Sequence, residues 1–310
     1  MIKYYCVSAS DGGANMRVTV FTPTYNRANV LQRVYDSLSQ QTYKDFCWLI
    51  IDDGSKDNTK NVVEQFQLIA DFPIEYHYQE NQGKHIAINT ALKLTKSELF
   101  VIADSDDSFI PESLEILVNA WDGIENKDMY KGVTCRCIDS ITGEPINPAV
   151  PEPYLDCNEI ELSFKFHITG EKWSIMPTTV LREYPFPEPA EALHFYPETV
   201  IWQNMAKKYK ARMINAGLRV YYRDQENAMT NKRNTRFREN MYLWEHYINE
   251  MDDYFFMAPK TFLKAYIGLS RDGILNQKTF KEILSIPDKL FKKVLICILY
   301  PIGLYLAKRG

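Results

Sequence analysis

From Arg17 onward the chain alternates short runs of apolar, β-branched and aromatic residues with longer segments in which apolar residues recur every three or four positions. That alternation is the pattern of βαβ units around a parallel sheet. The short runs predict strands at Val18–Phe21, Cys47–Ile51, Glu75–Tyr78 and Leu99–Ile102. The intervening periodic segments predict helices at Asn29–Gln40, Asn58–Phe66 and His85–Leu94, each preceded by a turn or capping residue (Asn26, Asp57, Gly83), and Pro111 starts a further helix over Glu112–Trp121. Beyond Asp122 the regularity weakens. A strand is predicted at Gly132–Ile138, a helix at Glu198–Lys208, a strand at Leu218–Tyr222, and a helical tail at Arg236–Met251 and Thr261–Arg271; Pro145–Tyr154 and Pro177–Pro189 read as Pro-interrupted loops.

Polar clusters follow each of the first four strands: Thr22-Pro23-Thr24-Tyr25-Asn26, Asp52-Asp53-Gly54-Ser55, Asn81-Gln82-Gly83-Lys84 and Asp104-Ser105-Asp106-Asp107. In open α/β sheets ligands collect at the carboxyl ends of the strands, where loops meet helix N-termini. Turn chemistry explains each cluster singly; four at successive strand ends point to a shared site.

Composition narrows the classes. The chain has 310 residues, enough for one large α/β domain with an appendage, and its formal net charge of -4 is spread over mixed signs, against a nucleic-acid-binding domain. Six scattered cysteines form no zinc or disulfide framework, which fits a reducing cytosol, and Cys47 reads as a small apolar core residue. Residues 1–16 read as an extension ahead of the fold.

Asp104, Asp106 and Asp107 crowd three carboxylates into four residues, and like charges so close repel unless something positive lies among them. A hard divalent cation, magnesium or manganese, suits these oxygen ligands and leaves positions for phosphate oxygens. A loop that caps the Pro111 helix would not need all three acids. Asp53 is placed to accept the imide N–H of a uracil, with Asp52 bracing the loop or touching ribose; a plain tight turn at Gly54 explains the same residues. Pro23 and Tyr25 could wall a base. Lys84 at a helix start would meet a diphosphate, Ser105 stands beside it on the donor, and His85 caps, packs or takes part in the chemistry. Trp173 is an acceptor platform or a core residue.

The order and spacing of Thr22-Pro23-Thr24-Tyr25-Asn26-Arg27, Ser39-Gln40-Gln41-Thr42, Ile51-Asp52-Asp53-Gly54-Ser55, Asn81-Gln82-Gly83-Lys84, Asn89 and Asp104-Ser105-Asp106-Asp107 before Pro111 resemble family 2 glycosyltransferases with the GT-A fold. The resemblance is close over Val18 to about Trp121. It implies an α/β mixed sheet flanked by helices over 17–230, with a nucleotide-binding half (17–122), an acceptor half (123–230) and a helical region at 231–310. It implies inverting transfer of a sugar from a nucleoside-diphosphate donor, a UDP-sugar by preference, to a glycan or lipid-linked acceptor. Asp106 then corresponds to the principal metal ligand, Asp104 to the other half of the DXD motif, and Asp53 to the uracil contact. The general base corresponds to an acidic residue opening a late helix. Glu198 matches, although Thr199 follows where the family often has a second acid; Glu191 and Asp224 are rivals.

Lys289–Arg309 holds an apolar run of about fourteen residues between basic ends, shorter than the roughly twenty a span needs, and Pro301 and Gly303 are expected to kink it. Two readings are open: a helix lying on the inner face of a membrane, or one packed on the protein or in a dimer interface. Two other functions are weighed. A nucleotidyltransferase would need a glycine-rich triphosphate loop near the N-terminus, which Thr22–Arg27 lacks. A non-catalytic nucleotide-sugar-binding module would not need a metal site and a base.

Overall fold

A computed structural model describes residues 15–151, 153–188, 195–222 and 236–309. Among these, one compact unit takes 15–188 with 203–222, and a second takes 195–202 with 236–309. The segment 195–202, assigned to the acceptor half on sequence, thus clusters with the helical region.

The first unit opens with β1 (Val18–Thr24), α1 (Leu31–Ser39), β2 (Phe46–Asp53), α2 (Thr59–Ile69), β3 (Ile74–Gln79), α3 (Lys84–Leu94) and β4 (Leu99–Ile102). β5 (Ser108–Phe109), α4 (Ser113–Asp122), β6 (Tyr130–Asp139), β7 (Tyr154–Cys157), α5 (Glu159–Phe164), β8 (Lys172–Pro177) and α6 (Thr178–Glu183) follow. After α7 (Glu198–Ala206), which divides between the units, β9 (Lys210–Tyr221) completes the sheet. Among the described residues the strand order is β3-β2-β1-β4-β8-β6-β9-β5, with β7 against β9. β3, β2, β1 and β4 are parallel; β8 runs antiparallel to β4 and β6, so the sheet is mixed.

β1 and β2 are buried along their whole length, as expected of parallel strands covered on both faces. Helices α1 and α2 seal one face through Tyr35 stacked on Phe66 at 4.4 Å between ring centroids, with Trp48 of β2 6.0 Å from Phe66. Trp48 donates its indole N–H to Thr22 Oγ1 at 2.8 Å, so this large core residue leaves no unsatisfied donor. α3 packs on β1 and β2. Cys47, read as a free core cysteine, is fully buried on β2 but disulfide-bonded.

The second unit contains α8 (Phe237–Asn249), α9 (Pro259–Leu275), α10 (Phe280–Ser285) and α11 (Leu290–Arg309), with α8 and α11 both packed on α9. α11 corrects the reading of the tail. It is a single 20-residue helix that runs through Pro301, and by length and mean hydropathy (1.7 over 18 residues) it is long and apolar enough to cross a membrane. Gly303 is a contact point rather than a kink: a Cβ there would lie 2.5 Å from Cβ of Ser270 on α9, closer than atoms pack.

Candidate functional site

The four polar loops beyond β1, β2, β3 and β4 are tied to one another in a closed ring. The first link runs from loop one to loop two. Asn26, in a left-handed conformation that asparagine tolerates, donates its N–H to Ser55 Oγ (2.8 Å) and accepts from Lys56 N–H (2.7 Å). Ala28 and Thr59 add to it through Asp57, whose carboxylate accepts both backbone N–H groups at 3.0 Å.

Asp53 makes the second link, from loop two to loop three. Its Oδ1 accepts from Gln82 N–H (2.9 Å) and Gln79 Nε2 (2.7 Å), and its Oδ2 accepts from Gly83 N–H (2.7 Å). The residue is 4% exposed, so its carboxylate is spent on shaping the Gln82-Gly83 turn that opens α3. Asp52 braces its own loop, accepting from Ser55 N–H (2.8 Å) and the Tyr76 hydroxyl (2.7 Å). Gly54 between them has φ +87°, and a Cβ there would meet Asn81 N at 2.9 Å, so glycine is required both by conformation and by the approach of loop three.

The third link is an ion pair from Lys84, first residue of α3, to Asp104 Oδ1 at 2.7 Å. The fourth closes the ring, with Arg27 of loop one 4.0 Å from Asp106 Oδ2. Loop four is also clipped from behind. Arg33 of α1 donates to the Asp106 carbonyl at 2.7 Å while its guanidinium lies 3.7 Å from the Tyr222 ring centroid, and the Tyr222 hydroxyl meets Ser108 Oγ at 3.2 Å. Asp107, 2% exposed, sits 2.8 Å from Arg219 of β9; the contact is close but not aligned as a hydrogen bond.

The crowded acids are therefore interleaved with Lys84, Arg27 and Arg219. Much of the positive charge among the acids is thus protein. Burial pushes the Asp104 carboxyl up, but Lys84, Arg219 and Arg27 outweigh it and hold it below the usual carboxylate range. Asp106 goes the other way. Burial and then the charge of Asp104 lift it, with Arg27 only partly opposing.

No three-residue cluster of potential metal ligands forms among the described residues. Asp107 is turned to Arg219, which leaves Asp104 and Asp106 as the acidic pair. Their mutual repulsion and all-oxygen chemistry fit a hard cation that takes few protein ligands and keeps places for water and phosphate.

Pro23 is buried in β1 opposite Ile51, whereas Tyr25 is 45% exposed beside the ring of loops. Ser105 is buried. His85 packs edge-on to Phe186 at 6.3 Å, and Asn89 clamps the Phe186 backbone through reciprocal bonds of 2.8 and 2.9 Å. Trp173 is core: it stacks on Phe109 at 4.5 Å and donates its indole N–H to the Ile102 carbonyl at 2.7 Å. A cavity of about 390 Å³ lies beside α3 between Asn89, Leu92 and Phe186, away from the carboxylates. Glu198 opens α7 in the second unit. The rivals Glu191 and Asp224 lie outside the described residues.

A mixed sheet with polar loops at the ends of four parallel strands, one of them acidic, is the arrangement of a GT-A fold. Residues 19–168 match the family model described as glycosyl transferase family 2. An uncharacterized glycosyltransferase of Rickettsia typhi is 35% identical over 112 residues, covering 36% of this chain and 34% of the relative. A Campylobacter jejuni GalNAc(5)-diNAcBac-PP-undecaprenol beta-1,3-glucosyltransferase is 27% identical over 69% of this chain and 67% of its own length. The chain spans only about a quarter to a third of the first curated relatives, 24% and 34% of their lengths. Among solved structures, Staphylococcus aureus TarS 1–349 in complex with UDP-GlcNAc aligns with a TM-score of 0.61 at 15% identity, over 95% of this chain and 92% of that one. Mannosyltransferase PcManGT of Pyrobaculum calidifontis, in complex with GDP-Man and Mn2+, aligns with a TM-score of 0.54 at 17% identity, over 94% and 86% of the two chains. At these identities the structural likeness carries the fold alone.

Proposed function

We propose that the chain transfers a sugar, with inversion, from a nucleoside-diphosphate donor, by preference a UDP-sugar, to a hydroxyl of a glycan or lipid-linked acceptor, working against a membrane surface. The observation that carries the reading is the closed ring of four strand-end loops, in which the acidic pair Asp104 and Asp106 stands beside the cations Lys84 and Arg27. A diphosphate needs that combination: fixed positive groups for its oxygens, and two carboxylates able to share a divalent cation with it.

Asp104 and Asp106 would hold manganese or magnesium, which when bound neutralises charge on the departing diphosphate. Lys84 binds and orients the diphosphate, with Ser105 beside it, and Tyr25 offers an exposed ring for the base, backed by Pro23. Asp53 fixes the Gln82-Gly83 turn, so its part in uracil recognition is to hold the wall of the base site in shape. Glu198 is assigned as the base that deprotonates the acceptor hydroxyl, on its residue type and its place at a helix start. The UDP-GlcNAc bound by TarS, the GDP-Man and Mn2+ bound by PcManGT and the undecaprenol-linked acceptor in the Campylobacter enzyme's name indicate which donors, metal and acceptor class to try first.

The test is incubation with manganese and a panel of UDP- and GDP-sugars, measuring nucleoside diphosphate release and the anomeric configuration of the product, with Asp106→Ala as control. Diphosphate release with inversion is expected for wild type alone. Pyrophosphate release from a nucleoside triphosphate and sugar phosphate would instead make it a nucleotidyltransferase, and donor binding without turnover a binding module.

A further inference from the structure

The helix α11 presents two different sides. On one, Lys292, Ile296 and Gly303 are buried, Gly303 against the α9 backbone near Ile267 and Arg271. On the other, Phe291, Val294, Ile298, Ile302 and Tyr305 are exposed, between 45% and 63%. Their spacing of three, four, four and three residues makes one stripe along a helix about 30 Å long. So long a contiguous apolar surface is a binding surface for something.

Charge selects the occupant. α11 contains no acidic residue and four basic ones: Lys292 and Lys293 near its start, Lys308 and Arg309 at its end. Lys292 is fully buried and already answered by Asp252 (2.9 Å) and Asp288 (2.8 Å), which leaves Lys293, half-buried, and Lys308 and Arg309, exposed. If a second copy covered the stripe, basic ends would meet basic ends whether the paired helices ran parallel or antiparallel, with no carboxylate on the helix to answer them. An anionic surface satisfies both ends at once. Crossing the bilayer is disfavoured by the packed side, since it would strip Gly303 from α9 and carry Lys292 away from its two aspartates.

We infer that the stripe Phe291-Val294-Ile298-Ile302-Tyr305 is a docking surface for an anionic lipid leaflet, on which α11 lies in the interface plane, its apolar side chains inserted and Lys293, Lys308 and Arg309 among the headgroups. The inference sharpens the membrane side of the proposed function and is independent of its chemistry. Its failure would leave the transfer assay untouched, and an inactive enzyme could still bind lipid.

The experiment is co-sedimentation of the full chain with vesicles of phosphatidylcholine alone or mixed with phosphatidylglycerol, followed by an alkaline carbonate wash. Wild type is expected to bind the mixed vesicles, to bind the neutral ones far more weakly, and to be released by the wash. Ile298→Gln with Ile302→Gln, both on the solvent side and compatible with helix, should weaken binding at least tenfold with unchanged circular dichroism. Replacing Lys293, Lys308 and Arg309 together by Gln should weaken it about a hundredfold, at roughly fivefold per charge. Equal binding to both vesicle types, or to neither, would overturn the inference. So would resistance to the wash, which means crossing, or a dimer in light scattering that the Ile298/Ile302 variant dissociates, which means a second copy.

Discussion

Asp53→Asn separates a carboxylate that shapes the site from one that touches the nucleotide. Both oxygens accept from backbone donors, Oδ1 from Gln82 N–H and Oδ2 from Gly83 N–H. An asparagine can face an oxygen to only one of them. In either flip its amide nitrogen confronts a buried N–H, so one charge-assisted bond is lost, one donor is left unsatisfied, and the Gln79 contact is weakened with the charge. At about 1.5–3 kcal/mol for a hydrogen bond to a charged group, the loss comes to about 3 kcal/mol. For a unit of this size that lowers Tm by about 6–12 °C. Differential scanning fluorimetry without ligand reads this directly, and titration with UDP reads the effect on the site. A fall in Tm with a parallel loss of UDP affinity is expected. An Asp53→Asn protein with wild-type Tm that no longer binds UDP would refute the reasoning, because the carboxylate would then be serving the nucleotide and not the turn.

Four further outcomes follow from the same geometry. Asp106→Ala should abolish manganese-dependent donor binding in calorimetry, and binding unchanged by the substitution would remove Asp106 from the metal site. Glu198→Gln should keep donor affinity while losing transfer by about 10²-fold or more, as expected for loss of a general base; wild-type turnover would reject the assignment. Arg219→Met leaves Asp107 buried without its counter-charge and should cost about 3–5 kcal/mol in chemical denaturation. Glu159 is paired with Lys131 and lies 3.9 Å from Lys172; although burial pushes its carboxyl up, the two lysines hold it below the usual range. A depressed folded pKa gives stability that is present above the ordinary value, about 4.3, and lost as pH falls through the folded one. Glu159→Gln should therefore lower Tm at pH 7 and converge on wild type only in acid; a constant gap across pH would mean the pairing contributes nothing.

β1, β2 and β4 are legible in the sequence because strands buried on both faces leave unbroken apolar runs such as Cys47–Ile51, and β3, half-buried, is legible from its aromatic and β-branched residues. Their structural ends differ from the expected ones by at most three residues, and β4 matches at both ends. Of the later strands, β6 and the second half of β9 are legible at Gly132–Ile138 and Leu218–Tyr222, while β5, β8 and the first half of β9 are not, for identifiable reasons. β5 has two residues and exists only by pairing with Arg219 and Val220 of β9. β8 ends in Pro177, a residue that argues against a strand, and holds its place antiparallel between β4 and β6. The first half of β9 carries Asn215 and Gly217, and its register against β6 shifts there.

The site divides in the same way. Acids crowded into Asp104–Asp107 are visible locally, but the cations that answer them come from Arg27, Lys84 and Arg219, on three separate elements of the chain. The one local sign of Arg219 is a charge set inside a strand, which in a buried sheet requires a partner. Once those partners are placed, the meaning of the acidic cluster changes. Three carboxylates with no counter-charge would demand a metal merely to fold; three interleaved with Arg27, Lys84 and Arg219 can fold first and exchange partners when donor and metal arrive. On the proposed function, Lys84 leaves Asp104 to reach a diphosphate. Donor binding should then depend on that pair in a way that the fold does not: Lys84→Met should weaken UDP binding while leaving Tm within about 4 °C of wild type, since a partly exposed pair contributes about 1 kcal/mol or less. A large fall in Tm for this variant would show that the pair holds the loops together and is not the movable link of the ring.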